Sequence, residues 1–180
     1  MTSTYCKTKR MIVSLLLLGL ALAPSLQASE EIPSFSGAYA EDLVWSGAVT
    51  MAGDVLILPA GSLTILAGTQ VNVVPAEGTK IDPEYLSSQT ELLVRGRLDI
   101  LGTAAQPVTF NVIVDSDTEE IAWAGITLDE AGQSRILYTD LERADIGIRC
   151  VSSSPEIIGN RISSCRYGIV AQQKSHPKIL

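Results

Sequence analysis

Alternating carboxylates in the run Asp115-Ser116-Asp117-Thr118-Glu119-Glu120 could present hard oxygen ligands to Ca²⁺, with Asp115, Asp117 and Glu119 as the candidate set. The run is not an EF-hand. That loop needs Gly at its sixth position and an acid at its twelfth, where Glu120 and Ile126 stand. A solvated acidic loop is the plainer reading. Acid/base cleavage of a glycosidic bond needs two carboxyls at a defined separation. Asp99, Asp129, Asp140 and Asp145 are candidate outward acids, but nothing in the sequence pairs them. No catalytic set and no cofactor site is therefore assigned. Trp45, Tyr85, Tyr138 and Tyr167 could stack on sugar rings. Trp45 and Trp123 more readily pack inside, since large aromatics are highly buried on average.

The elements that would position these groups are small and numerous. Hydrophobic residues make up 46% of the 180 positions, enough for a real core, while charged residues make up only 18% and aromatics 5%. That balance points away from helices laced with Lys and Glu. Fourteen Gly and eight Pro suit many short strands separated by turns.

The first 28 residues read as a signal peptide. Lys7, Lys9 and Arg10 form a basic start, followed by the apolar run from Met11 to Ala23, closed by Pro24. The run falls short of the roughly 20 residues a membrane span takes. Leu26-Gln27-Ala28 gives a cleavage site before Ser29. An exported chain is expected, in the periplasm, on the cell surface or outside the cell, with no stable membrane span after cleavage. Loss of the three basic residues takes the net charge from −7 to −10. An acidic mature chain argues against nucleic acid and anionic membranes as partners. An oxidising compartment would allow Cys150 and Cys165 to pair. Their places in the repeat described next set them at different points around a coil, which favours two small buried thiols.

Self-similarity carries the fold argument. Gly-Ile pairs recur at Gly125-Ile126, Gly147-Ile148 and Gly168-Ile169, spaced by 22 and then 21 residues. Ile136 maps to Ile157 and Leu141 to Ile162 at 21 residues, while Pro155 and Ile157 recur as Pro177 and Ile179. Earlier, Gly61-Ser62-Leu63-Thr64-Ile65-Leu66-Ala67-Gly68-Thr69 is echoed by Gly96-Arg97-Leu98-Asp99-Ile100-Leu101-Gly102-Thr103. Each unit holds three alternating stretches too short for a free-standing sheet. Stacked as coils, each stretch pairs in parallel with its equivalents above and below. Alternation turns Leu63, Ile65, Leu98 and Ile100 inward and Thr64 and Asp99 to solvent. A helix would scatter these apolar residues over opposite faces. Asn160 suits a turn that needs a left-handed residue.

From Trp45 onward the chain resembles the bacterial right-handed parallel β-helix repeat proteins of the pectate-lyase-like superfamily. Leu63-Thr64-Ile65-Leu66-Ala67-Gly68-Thr69, Trp123-Ala124-Gly125-Ile126, the segment from Ser154 to Ile162, and Tyr167-Gly168-Ile169 carry the likeness. The resemblance implies an all-β solenoid of about five coils over residues 45–180, preceded by a lead-in or cap over 29–44. Coils would start at Val55, Leu92, Ile126, Ile148 and Ile169. Two insertions interrupt them, at 75–90 and 111–122. The last coil reads as incomplete at Leu180, as in a segment of a longer parent or a chain whose end a partner covers. The superfamily includes lyases, hydrolases and adhesins, so fold is not function. Its hydrolases' Gly-His-Gly and its lyases' Arg-x-Pro-x-x-Arg are both missing here, and the single histidine is His176. Copper handling, linked to some members, would have only His176, Met51 and two separated cysteines to draw on, which is poor material. The expected function is a non-enzymatic module that contacts a polysaccharide or cell-surface component. The alternative is a polysaccharide lyase or hydrolase, or the amino-terminal part of one.

Overall fold

The computed structural model describes residues 31–75, 88–113 and 120–180. The expected signal peptide, Tyr85 and the carboxylates Asp115, Asp117 and Glu119 lie outside the described residues. Among the described residues every element is a strand: β1 (Ser34–Tyr39), β2 (Asp42–Trp45), β3 (Ala48–Ile57), β4 (Ser62–Leu66), β5 (Gln70–Val73), β6 (Glu91–Val94), β7 (Arg97–Leu101), β8 (Val108–Val112), β9 (Gly125–Asp129), β10 (Arg135–Leu137), β11 (Thr139–Glu142), β12 (Ile146–Val151), β13 (Glu156–Ile158), β14 (Arg161–Ser163), β15 (Tyr167–Gln172) and β16 (Lys178–Ile179).

Every strand pair among them is parallel. The described residues are all-β and solenoid-like, as the periodicity predicts. One sheet runs β16-β13-β10-β7-β4-β2. The other runs β14-β11-β8-β5-β3-β6-β9-β12-β15, with β1 also on β3. That longer sheet is two walls joined at β3, whose residues 48–51 pair with β5 and whose residues 55–57 pair with β6. We call β1-β3-β6-β9-β12-β15 the first wall, the six-stranded sheet the second, and β3-β5-β8-β11-β14 the third. The chain visits the three walls in a constant rotation, so no strand pairs with its immediate successor.

Parallel register stacks like on like inside the walls. Val55, Leu92, Ile126, Ile148 and Ile169 form one row. Ile65, Ile100, Ile136, Ile157 and Ile179 form another, continued below by Trp45. Val49, Val71, Phe110, Leu141 and Ile162 form the third. The four positions expected to point inward, Leu63, Ile65, Leu98 and Ile100, are all fully buried. Burying one such side chain is worth about 1.5–3 kcal/mol, which a three-residue strand needs to stay ordered. Two aromatic pairs fill the wider spaces: Trp123 stacks on Phe110 with centroids 5.5 Å apart, and Trp45 meets Phe35 at 4.9 Å. The stretch expected as a lead-in contains β1, which runs along both halves of β3 and so extends the third and first walls, and the start of β2, which extends the second.

Two expectations are corrected. Asp99 does lie at an outward position, yet it is only 6% exposed. Arg97 Nη2 at 2.6 Å and Arg135 Nε at 2.8 Å close over its two oxygens. Alternation sets a side chain's direction, and long neighbouring side chains decide what covers it. Asn160 is not the left-handed residue of its turn. Gly159 is, with φ of 66°, at the place where Tyr138 takes φ of 44° 21 residues earlier. The Tyr138 ring lies over Gly159, where a Cβ would come within 2.6 Å of Cε1. Asn160 serves through its amide instead. Its Oδ1 accepts from the Thr139 N–H at 2.8 Å, and its Nδ2 donates to the Ile136 carbonyl at 2.7 Å.

Asn160→Ala should therefore cost about 1–3 kcal/mol in urea unfolding, because Thr139 is buried and its N–H would be left unsatisfied. Asn160→Asp keeps the acceptor for Thr139 but turns an anionic oxygen toward the Ile136 carbonyl, so it should also destabilise. Unchanged unfolding of Asn160→Ala would mean that water serves these groups equally well.

Candidate functional site

The outer surface of the third wall gathers polar side chains in register. Gln70, Thr109, Asp140 and Arg161 follow one another across β5, β8, β11 and β14. Two residues further along each strand stand Asn72, Asn111, Glu142 and Ser163. Alternation dictates this: Val71, Phe110 and Leu141 between the two rows point into the core. The wall thus offers two parallel files of amide, hydroxyl and charged groups, one step of roughly 4.8 Å per strand.

At the β8-β11-β14 end these files line an open cleft of about 190 Å³, bordered by Thr109, Asn111, Asp140, Glu142, Arg161 and Ser163, with Phe110 and Leu141 among its lining residues. Asn111, Glu142 and Arg161 are exposed and Asp140 is half-buried. Asn111 Nδ2 reaches Thr109 Oγ1 at 3.4 Å. The arrangement can donate and accept hydrogen bonds to a hydroxyl-rich chain. It also brings two carboxyls and a guanidinium into one place.

Of the four acids singled out in the sequence, only Asp140 lies in this cleft. Asp99 belongs to the second wall and is held by Arg97 and Arg135. Asp129 ends β9 on the first wall and pairs with Arg95 at 2.9 Å. Asp145 pairs with Arg166 at 3.1 Å. The four do not converge. His176 is exposed, and its backbone N–H donates to Ser154 Oγ. Among the candidate aromatics Trp45 is buried, while Tyr138 and Tyr167 are 37% and 57% exposed. No group of three or more His, Cys, Asp or Glu among the described residues could hold a metal ion.

Sequence reasoning missed Glu142, Arg161, Asn111 and Thr109. The signal was present in part. The 21-residue step that maps Leu141 onto Ile162 also sets Asp140 beside Arg161 and Glu142 beside Ser163. Thr109 and Asn111 were hidden because an insertion separates β8 from β11. A second polar cluster on the first wall was missed for the same reason: Thr127 Oγ1 donates to Glu91 Oε1 at 2.6 Å, and Glu91 is only 4% exposed.

Cys150 and Cys165 are free thiols. Cys150 stands between Leu128 and Ala171 on the first wall, fully buried, and burial pushes its thiol up to about 11. Burial also raises Cys165, which is half-buried and donates to the Ser163 carbonyl. In the native protein at pH 8 Cys150 should resist iodoacetamide, with mass spectrometry showing Cys165 labelled first. Above the ordinary thiol value of 9.0 the unfolded chain loses the Cys150 proton while the native state keeps it up to about 11. The native state then binds more protons, so stability should fall as pH rises across that window. Cys150→Ala should show a shallower fall there. Equal labelling of both thiols, or the same slope in the variant, would count against this burial.

Comparison with protein-family models, with curated proteins and with solved structures found no match.

Proposed function

We propose that this chain is an exported, non-enzymatic β-helix module that binds an extended glycan along the outer face of its third wall. In this reading residues 1–28 are removed on export, and the walls are stacked coils of a right-handed helix of the pectate-lyase-like kind, the hand that parallel crossovers almost always take. The supporting observation is the pair of in-register polar files ending in the cleft of Thr109, Asn111, Asp140, Glu142, Arg161 and Ser163. Amides and hydroxyls predominate in them, as recognition of sugar hydroxyls requires, and their even spacing suits a repeating polymer.

A second reading has one specific observation in its favour. Asp140 and Glu142 lie two residues apart on one strand face and both line the cleft. Glycoside hydrolases work with a pair of carboxyls flanking the scissile bond. A single experiment addresses both readings. The protein is incubated with a panel of cell-wall and extracellular polysaccharides, and both retention and new reducing or unsaturated ends are measured. Retention without products is the expected outcome. Products that vanish in Glu142→Gln would establish the hydrolase instead, and retention on none of the polymers would end the glycan reading.

A further inference from the structure

We infer that the outer face of the second wall is a self-complementary surface on which a second copy of this chain docks, antiparallel to the first. It lies on a different wall from the glycan cleft and leaves that cleft open.

The strands β7, β10, β13 and β16 present two files outward. One is charged and alternates in sign: Asp99, Arg135, Glu156 and Lys178, in register. Arg135 Nε meets Asp99 at 2.8 Å and Lys178 Nζ meets Glu156 at 3.1 Å. The file beside it, two residues further along each strand, is aliphatic. Leu101, Leu137 and Ile158 stand in register, and Leu180 follows, tied by its N–H to the Ile157 carbonyl at 3.1 Å. Leu66 of β4 continues the row at the other end and is 41% exposed, while Leu180 is 72% exposed. A continuous aliphatic row on an outer strand face is not what solvent alone favours.

The order of the charges says what can cover it. A two-fold axis passing between β10 and β13, in the plane of the face, sets Arg135 opposite Glu156 of the second copy. The reciprocal pair follows by symmetry, so both central contacts join opposite signs. Asp99 lies under Arg97 and Arg135 of its own chain and makes no contact across the axis. The same axis sets Leu137 against Ile158 and Leu101 against Leu180. Packing with the two copies running the same way would instead lay charge on the aliphatic file. The central residues are accessible for this, since the side chains of Arg135 and Glu156 are 42% and 45% exposed.

Sedimentation velocity on the full chain at low salt is the test. The expected result is a monomer–dimer equilibrium. Arg135→Glu and Glu156→Arg each bring like charges together across the axis, and each should weaken association by roughly a hundredfold or more. An equimolar mixture of these two variants should regain the dimer as a heterodimer, because their reversed charges complement each other between chains although neither chain regains its own alternating file. A chain that stays monomeric at all concentrations overturns the inference. So does a dimer indifferent to both substitutions, or a mixture that stays monomeric.

Discussion

Gly125→Ala is expected to cost more than about 4 kcal/mol and to leave little folded protein at 37 °C, while Gly168→Ala changes stability by no more than about 0.5 kcal/mol. Both glycines open the same Gly-Ile pair of the repeat, yet their surroundings differ. Gly125 holds φ of 103°, and a Cβ there would come within 1.8 Å of the Ile146 carbonyl oxygen. Neither the conformation nor the approach tolerates a side chain, and the obstruction is backbone, which cannot swing away. Gly147 is intermediate. Its φ is not left-handed, but a Cβ would meet the Gly168 carbonyl oxygen and Ile162 Cγ2 at 2.7 Å each, so Gly147→Ala should cost about 1–3 kcal/mol. Around Gly168 nothing lies within 4 Å. Urea unfolding followed by circular dichroism should rank the three in that order. Equal losses at all three would mean that the repeat, rather than the local backbone approach, sets the requirement for glycine.

Trp123→Ala should cost about 3–5 kcal/mol. Its indole is fully buried and stacked on Phe110 at an interplanar angle of 11°. Its Nε1 donates to the Glu142 carbonyl at 2.9 Å. Phe110 lines the third-wall cleft and Glu142 borders it, so Trp123 supports the site from behind. Trp123→Phe keeps a stacked ring but leaves the Glu142 carbonyl without this donor. It should lose about 1–2 kcal/mol in the same urea experiment. Loss of less than about 1 kcal/mol in Trp123→Ala would show that the space between the walls closes without the indole.

The all-β, parallel character of the chain was legible because stacking strands in register demands like residues at a constant step. The row through Val55, Leu92, Ile126, Ile148 and Ile169 consists of the residues from which the sequence reading begins each repeat, and they stand in register. What the periodicity could not show is cover and bending. Asp99 reads as outward and is closed over by two arginines, one of them from β10, a strand beyond an insertion. The single strand β3 serves two walls, bending at Ala52-Gly53-Asp54 without a break in the strand, and alternation alone does not announce such a bend. The cleft was half legible. Asp140 and Arg161 follow from the 21-residue step, whereas Thr109 and Asn111 sit 31 residues from their neighbours on β11, a spacing the repeat does not announce. Asn160 illustrates a different limit: a residue type that tolerates a left-handed turn was used for its amide, and the glycine beside it took the turn.

Affinity electrophoresis in gels cast with soluble cell-wall and extracellular polysaccharides tests the binding role of the third wall most directly. The unaltered protein is run beside Asn111→Ala, Arg161→Ala and Lys178→Ala, the last placed on the second wall away from the cleft. Retardation of the unaltered protein and of Lys178→Ala is expected, with affinity reduced roughly tenfold or more in the two cleft variants. Migration unaffected by every polymer, or equal retardation of all four proteins, would contradict the assignment of glycan binding to this wall.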